Sequence, residues 1–118
     1  MPKILILEDE SNLAELLKDL LSIEGHEVRA PRTFDTVMQS IGEFGPDVIV
    51  MDIHLEEVDG LELIESIRRD PHNKNLYILA LSGMSLAHEA REAGANAFLQ
   101  KPFMPDEIIN QLNQTLNP

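Results

Sequence analysis

Short, continuous apolar runs alternate with segments of helical periodicity along the whole chain, and this alternation most restricts the possible folds. The clearest run is Val48–Met51, which is apolar without a break and ends at Asp52. Runs of this kind are typical of strands covered on both faces, as in a parallel sheet. The segments between them carry apolar residues at helical spacing, for example Leu13, Leu16, Leu17 and Leu20.

Ten elements follow from this periodicity and from its stop signals. Gly25 and Gly94 end two helical patterns, Ser11 or Asn12 would cap the first helix, and Pro105 suits a first helical position. The predicted strands are Lys3–Leu7, Glu27–Ala30, Asp47–Met51, Leu76–Leu81 and Ala97–Leu99. The predicted helices are Asn12–Glu24, Phe34–Glu43, Leu61–Arg69, Leu86–Ala93 and Pro105–Leu116. Five βα units predict an α/β fold, a doubly wound parallel sheet with helices on both faces.

Composition excludes several classes of function. The chain has 118 residues, which suits one domain, and its 9 basic and 21 acidic residues give a net charge of −12. Such a charge disfavours nucleic acids and anionic membranes as direct partners. The absence of cysteine excludes disulfides, thiolate metal sites and a cysteine nucleophile. No run is long enough for a signal peptide core or a membrane span, so we expect a cytoplasmic protein.

Polar residues follow four of the predicted strands. Glu8 and Asp9 come after the first strand, Asp52 after the third, Ser82 after the fourth and Lys101 after the fifth. In a parallel sheet the carboxyl ends of the strands share one edge, which is where such folds bind ligands. Each element alone has a plainer interpretation, such as a solvated acidic turn, but the fold predicts that they form one site.

The chemistry of this set points to phosphoryl transfer. Clustered carboxylates repel one another unless a cation compensates, and Mg²⁺ prefers oxygen ligands and works with one or two carboxylates plus phosphate oxygens. Lys101 would supply a second positive charge, and Asp52 would act as a carboxylate nucleophile that forms an aspartyl-phosphate.

The whole chain resembles the receiver domain of two-component response regulators, including the chemotaxis regulators. The resemblance rests on Glu8–Asp9 as the acidic pair, Asp52 in "VIVMDIHL" as the acceptor, Asp59–Gly60 as the turn after the acceptor loop, Ser82 in "LALSG" as the hydroxyl position, Phe98 as the switch aromatic and Lys101–Pro102 as the lysine–proline pair. It implies one receiver domain over residues 1–118 and the flavodoxin-like strand order 2-1-3-4-5.

The resemblance also implies roles for these residues. Asp52 would accept the phosphoryl group from a histidine kinase or a histidine phosphotransfer domain. Mg²⁺, for which Mn²⁺ could substitute, would be bound by Asp9, Asp52 and the backbone carbonyl of His54, and by Glu8 through water. Lys101 and Ser82 would contact the phosphoryl group, Ser82 and Phe98 would carry the switch, and the Lys101–Pro102 bond would be cis. Leu13 would be partly exposed and contact the phosphodonor.

Some positions depart from the family pattern. Glu8 replaces the commoner aspartate. Glu56 stands where many relatives have proline, and the loss of proline predicts a more mobile loop after the acceptor strand. The segment from Ser82 to Lys101 is shorter than usual by roughly one helical turn. Elsewhere, His26 and His72 are expected to be exposed, and Met84 and Met104 to pack within loops.

Two rival functions stay open beside the phosphoacceptor switch. One is a receiver-like adaptor that is never phosphorylated; the other is a small Mg²⁺-dependent phosphatase, which would need a second aspartate where His54 stands. A flavin module is disfavoured because "LEDES" would repel its phosphate. The switch would be no enzyme beyond its own phosphorylation and dephosphorylation. Its output partner, an attached output domain and a phosphorylation-dependent dimer stay undetermined.

Overall fold

The computed structural model describes residues 2–55 and 58–116 and places five strands in one parallel sheet. The strands of this sheet are β1 (Lys3–Leu7), β2 (Glu27–Arg29), β3 (Val48–Asp52), β6 (Tyr77–Ser82) and β7 (Ala97–Gln100), and two short strands lie outside it, β4 (His54–Leu55) and β5 (Val58–Asp59). The helices are α1 (Ser11–Ile23), α2 (Val37–Phe44), α3 (Gly60–Arg69), α4 (Ala87–Ala93) and α5 (Pro105–Leu116), with a 3₁₀ turn at Pro71–Asn73.

The main sheet has the order β2-β1-β3-β6-β7, and all four neighbouring pairs are parallel. Counted without the short strands β4 and β5, this is the order 2-1-3-4-5, so the predicted doubly wound fold is confirmed. The two short strands form a separate antiparallel hairpin in which His54 pairs with Asp59 and Leu55 with Val58. This hairpin was not predicted, because two-residue strands carry no measurable periodicity.

Each face of the sheet packs against its own helices, because side chains alternate along a strand. One core combines Leu5, Leu7, Ile49, Met51, Ile78 and Ala80 of the sheet with residues of α2, α3 and α4. The other combines Ile4, Ile6, Val48, Val50, Leu79 and Leu81 with residues of α1 and α5. The central strands β1, β3 and β6 are therefore buried on both sides, and polar groups are placed at their ends.

Most predicted boundaries lie within one residue of the observed ones, and two expectations at helix starts were wrong. Helix α1 begins at Ser11, its N-cap residue is Glu10, and no side chain of the described part of the chain caps it. Helix α2 begins at Val37 rather than Phe34. Phe34 instead packs, partly buried, against the core from the segment before the helix. The predicted first turn of α2 is therefore not helical, and its aromatic residue contributes to the core instead.

The connection from β3 to α3 depends on a close approach of two main chains. The N–H of Gly60 donates to the carbonyl oxygen of Ile53 at 3.0 Å, and a Cβ atom at Gly60 would lie 2.7 Å from the Ile53 carbonyl carbon. Asp59 caps the helix by accepting from the N–H groups of Leu61 and Glu62. The predicted mobility at Glu56 concerns a position outside the described residues.

Three side chains contradict the expected exposure. His26 is only 6% exposed, and both ring nitrogens are buried without a hydrogen-bond partner among residues 2–55 and 58–116. Met84 and Met104 are 59% and 64% exposed rather than packed in their loops. His72 is exposed, as predicted. The short segment after Ser82 still forms a helix, α4, of 7 residues.

Within the described part of the chain, no helix has both the length and the apolar character that crossing a bilayer requires.

Candidate functional site

The ends of four parallel strands bring the predicted polar residues together at one edge of the sheet. Asp52 and Ser82 are the last residues of β3 and β6, Glu8 follows β1, and Lys101 follows β7. Glu8, Asp52 and Ser82 are buried, with 4%, 6% and 0% of their surface exposed. The sheet therefore presents two carboxylates and a hydroxyl that are almost withdrawn from water, and Lys101 reaches them from the last strand.

Lys101 joins the two buried carboxylates. Its Nζ donates to Oδ2 of Asp52 at 2.7 Å and to Oε1 of Glu8 at 2.6 Å. The main-chain N–H of Lys101 donates to the carbonyl of Ser82 at 2.8 Å, which fixes where its side chain begins. The peptide bond between Lys101 and Pro102 is cis, as the resemblance implied.

The electrostatics of this group are unbalanced. Burial raises the pKa of Glu8 above its ordinary value, and the charge of Asp52 adds to the effect, although hydrogen bonds from Lys101 and from the Glu10 N–H oppose it. Burial by itself would lower the pKa of Lys101, but its hydrogen bonds to Asp52 and Glu8 outweigh burial and raise it. Two carboxylates thus share one ammonium, and the site retains negative charge.

The acidic residues suit a divalent cation. Glu8, Asp9 and Asp52 each offer a carboxylate oxygen, and these oxygens lie within 4.8 Å of one another. An octahedral Mg²⁺ with bonds of about 2.1 Å holds opposite ligands about 4.2 Å apart, so small side-chain movements would bring these oxygens around one ion. Asp9 is exposed and provides the side open to solvent. The donor set therefore fits the predicted Mg²⁺ site.

The predicted switch residues are Ser82 at the end of β6 and Phe98 within β7. Oγ of Ser82 accepts from the N–H of Met84 at 3.0 Å and lies 2.9 Å from Nε2 of His54. The main-chain N–H of His54 donates to Oδ1 of Asp52 at 2.8 Å. Phe98 on β7 is half-buried and packs against the core that contains α4.

The contact between the His54 ring and Ser82 was not predicted, because the only role assigned to His54 was that of its main-chain carbonyl as a metal ligand. The two residues are 28 positions apart, and no local motif joins them. Only the position of His54, two residues after Asp52, could have indicated it.

An open cleft adjoins Lys101. Glu10, Leu13, Lys101, Pro102 and Phe103 line a space of about 460 Å³. Leu13 is half-buried and packs in part against the core beneath α1. Its predicted partial exposure is confirmed, and the cleft gives the site an apolar border.

Comparisons with known proteins agree with this geometry. Residues 4–113 match the family model described as response regulator receiver domain. The chain is 32% identical to the chemotaxis protein CheY of Thermotoga maritima over 95% of both chains, and 32% identical to CheY of Bacillus subtilis over 98% of both. A crystal structure of a protein from Chloroflexus aurantiacus, assigned as a response regulator, is 34% identical over all of both chains with a TM-score of 0.91.

Proposed function

This chain belongs to the response regulator receiver domain family of two-component systems, and we propose that it acts as a switch that accepts a phosphoryl group on Asp52. The observation that carries the proposal is the position of this carboxylate. Asp52 is 6% exposed, and its two oxygens lie 2.7 Å from the Lys101 Nζ and 2.8 Å from the His54 N. These two hydrogen bonds fix the carboxylate. The side of the site at Asp9 is exposed, and the phosphorus atom of a phosphodonor would approach Asp52 from there.

The transfer uses this chain's own groups. An oxygen of Asp52 forms a bond to phosphorus while the phosphorus–nitrogen bond of a phosphohistidine donor breaks, and the donor imidazole keeps that electron pair. Lys101 stays within reach and neutralises part of the charge that the phosphoryl oxygens bring. The Ser82 hydroxyl then donates to one of these oxygens, and Phe98 turns inward toward the space that Ser82 leaves.

Glu8, Asp9, Asp52 and the His54 carbonyl would hold Mg²⁺, with Glu8 acting through water. The ion supplies charge neutralisation for the transferred group. The retained negative charge of the site supports this assignment, because Lys101 alone offsets only one of the two buried carboxylates.

The phosphodonor, a histidine kinase or a histidine phosphotransfer domain, docks over the cleft that Leu13, Pro102 and Phe103 border. The cleft lies directly beside Lys101, so a donor helix seated there would bring its phosphohistidine to the acceptor. The output partner is a protein or domain that distinguishes the two states of the switch.

The adaptor alternative predicts an acceptor site that cannot react. The adaptor alternative is disfavoured because every residue needed for the reaction is present and lies in one site. These residues are Asp9, Asp52, Ser82 and Lys101. The phosphatase alternative is disfavoured because His54 uses its ring on Ser82 rather than offering a carboxylic acid.

Acetyl phosphate and Mg²⁺ test the proposal directly. The wild-type protein should gain the mass of one phosphoryl group, and Asp52→Asn should gain none under the same conditions. Asp59→Asn is the matched control, because it removes an exposed carboxylate from the connection that follows β3 and leaves the buried pair, Glu8 and Asp52, in place. An equal mass gain in Asp52→Asn, or none in the wild type, would contradict the assignment.

A further inference from the structure

His54 connects the proposed acceptor to the proposed switch hydroxyl. Its main-chain N–H donates to Oδ1 of Asp52 at 2.8 Å, while its ring Nε2 lies 2.9 Å from Oγ of Ser82. The side chain of His54 is exposed, whereas Ser82 is completely buried. A single residue therefore holds the acceptor with its main chain and the hydroxyl with its side chain.

The hydrogen-bond partners of Ser82 decide which atom carries the shared proton. A serine hydroxyl has one proton to donate and two lone pairs to accept with. The N–H of Met84 donates to one lone pair at 3.0 Å, so it cannot take the hydroxyl proton. A buried donor needs an acceptor, and among the described residues His54 Nε2 is the one side-chain atom placed to provide it. The assignment that satisfies both groups has Ser82 donating to Nε2 and the His54 ring carrying its proton on Nδ1.

This arrangement gives His54 a role in the switch. We propose that the His54 ring is a latch that holds the Ser82 hydroxyl proton in the unphosphorylated state and competes for it with the phosphoryl group on Asp52. The proposal rests on the proposed function above. His54 acts through Ser82, so it is a positioning residue, and its effect opposes activation.

Release of the latch needs little rearrangement. The exposed His54 ring can swing toward solvent while its main-chain N–H stays on Asp52, because the two contacts use different parts of the residue. Replacing the side chain thus removes the competitor and keeps the acceptor in place. The loss of one competing hydrogen bond should favour the active state by about threefold to tenfold.

Beryllofluoride, a mimic of the phosphoryl group, measures this competition. Each variant is titrated with it in the presence of Mg²⁺, and the main-chain amide signals of Ser82 and Gly83 are followed by NMR. His54→Leu keeps bulk without a hydrogen bond and should reach half-saturation at an about threefold to tenfold lower concentration. His54→Gln retains a polar group of similar reach and should stay near wild type. His72→Ala, which removes an exposed imidazole elsewhere, should have no effect.

A second measurement reports the latch itself. In protein labelled with nitrogen-15 at histidine, Nε2 of His54 should show the signal of an unprotonated acceptor, and this signal should change on saturation with beryllofluoride. A merely structural role would leave it unchanged. If His54→Leu binds the mimic as the wild type does or more weakly, or if the ring signal does not respond, the latch is wrong.

The outcomes separate the two proposals. If the wild type accepts phosphate and responds to beryllofluoride while the His54 variants match it, only the latch fails. If neither acetyl phosphate nor beryllofluoride changes the wild type, both proposals fail together. Asp52→Asn, which should not respond to the mimic, shows that the signals report the acceptor site.

Discussion

The two ends of the sheet both carry a network of polar groups around one cation, but the cation has charged partners at one end and uncharged partners at the other. At the carboxyl end, one ammonium, that of Lys101, bridges two buried carboxylates. At the amino end, the half-buried guanidinium of Arg68 donates to the carbonyls of Gly94 at 2.8 Å and Asn73 at 2.9 Å and to the side-chain oxygen of Asn96 at 2.6 Å. All three of these acceptors are uncharged.

Because of this difference, the network at the carboxyl end can rearrange when a cation or a phosphoryl group binds, whereas the network at the amino end stabilises the fold. The Arg68 network joins the end of α3 to the turns that precede β6 and β7, and Asn96 also accepts from the N–H of Ile78 at 2.8 Å. Burial lowers the pKa of Arg68, and its three acceptors carry no charge that would offset this effect. At the carboxyl end, excess negative charge remains, so a cation or a phosphoryl group can change the balance of contacts.

The largest expected effect comes from removing the bridging cation. Lys101→Met should lower the rate of phosphorylation by acetyl phosphate by about a hundredfold or more, since charge stabilisation at the acceptor is lost. It also leaves Glu8 and Asp52 buried without their shared partner, so the free energy of unfolding should fall at neutral pH. Mass spectrometry over time and urea denaturation measure the two effects. A variant with the wild-type rate would remove Lys101 from the mechanism.

Arg68→Met should show the opposite pattern. Three hydrogen bonds are lost, so the free energy of unfolding should fall by about 2–4 kcal/mol. Once folded, the variant should accept phosphate at the wild-type rate because the carboxyl end is untouched. Arg69→Met is the matched control, because among the described residues the Arg69 guanidinium bonds only to Ser66, at 3.4 Å. A slowed transfer in Arg68→Met would show that the two ends are coupled.

Close packing of the main chain at the carboxyl end makes a smaller and separate contribution to the free energy of unfolding. Gly60→Ala forces a Cβ atom against the main chain of Ile53 and should cost about 1–3 kcal/mol of unfolding free energy. Gly42→Ala, in open space within α2, should instead stabilise by about 0.5–1 kcal/mol. Thermal and urea denaturation compare the two variants. Equal effects would mean that the Ile53 contact relaxes without cost.

The smallest effects concern two carboxyl groups with opposite pKa shifts. The pKa of Glu8 is raised by burial, so its contribution to stability is present below its ordinary value of 4.5 and is lost as pH rises through the folded-state pKa. The pKa of Asp70 is lowered by hydrogen bonds from the main chain and the ring of His72, so its contribution is present above its ordinary value of 3.8 and is lost as pH falls through the folded-state pKa.

Glu8→Gln should therefore gain stability relative to wild type as pH rises, whereas Asp70→Asn should lose a little stability at neutral pH and match the wild type in acid. Denaturation at a series of pH values measures both differences. Parallel pH profiles for the two variants would contradict the assigned signs.

Much of the fold and of the candidate site was accessible from the sequence. The alternation of apolar runs with helical periodicity determined the βα units, because burial on both faces requires it. Strand ends then placed Glu8, Asp52, Ser82 and Lys101 at one edge, because parallel strands share their direction. Helix starts were less predictable. The periodicity favours a helix from Phe34, but α2 begins at Val37 and the Phe34 ring packs against the core from the segment before it.

Tertiary structure alone decided the contacts that give the site its chemistry. Lys101 meets Asp52 and Glu8 across 49 and 93 positions of sequence, and the His54 ring meets Ser82 across 28. The burial of His26, expected to be exposed, is decided in the same way. Periodicity reports which face of an element is apolar, whereas the partner of a polar atom depends on distances between elements that only the assembled sheet fixes.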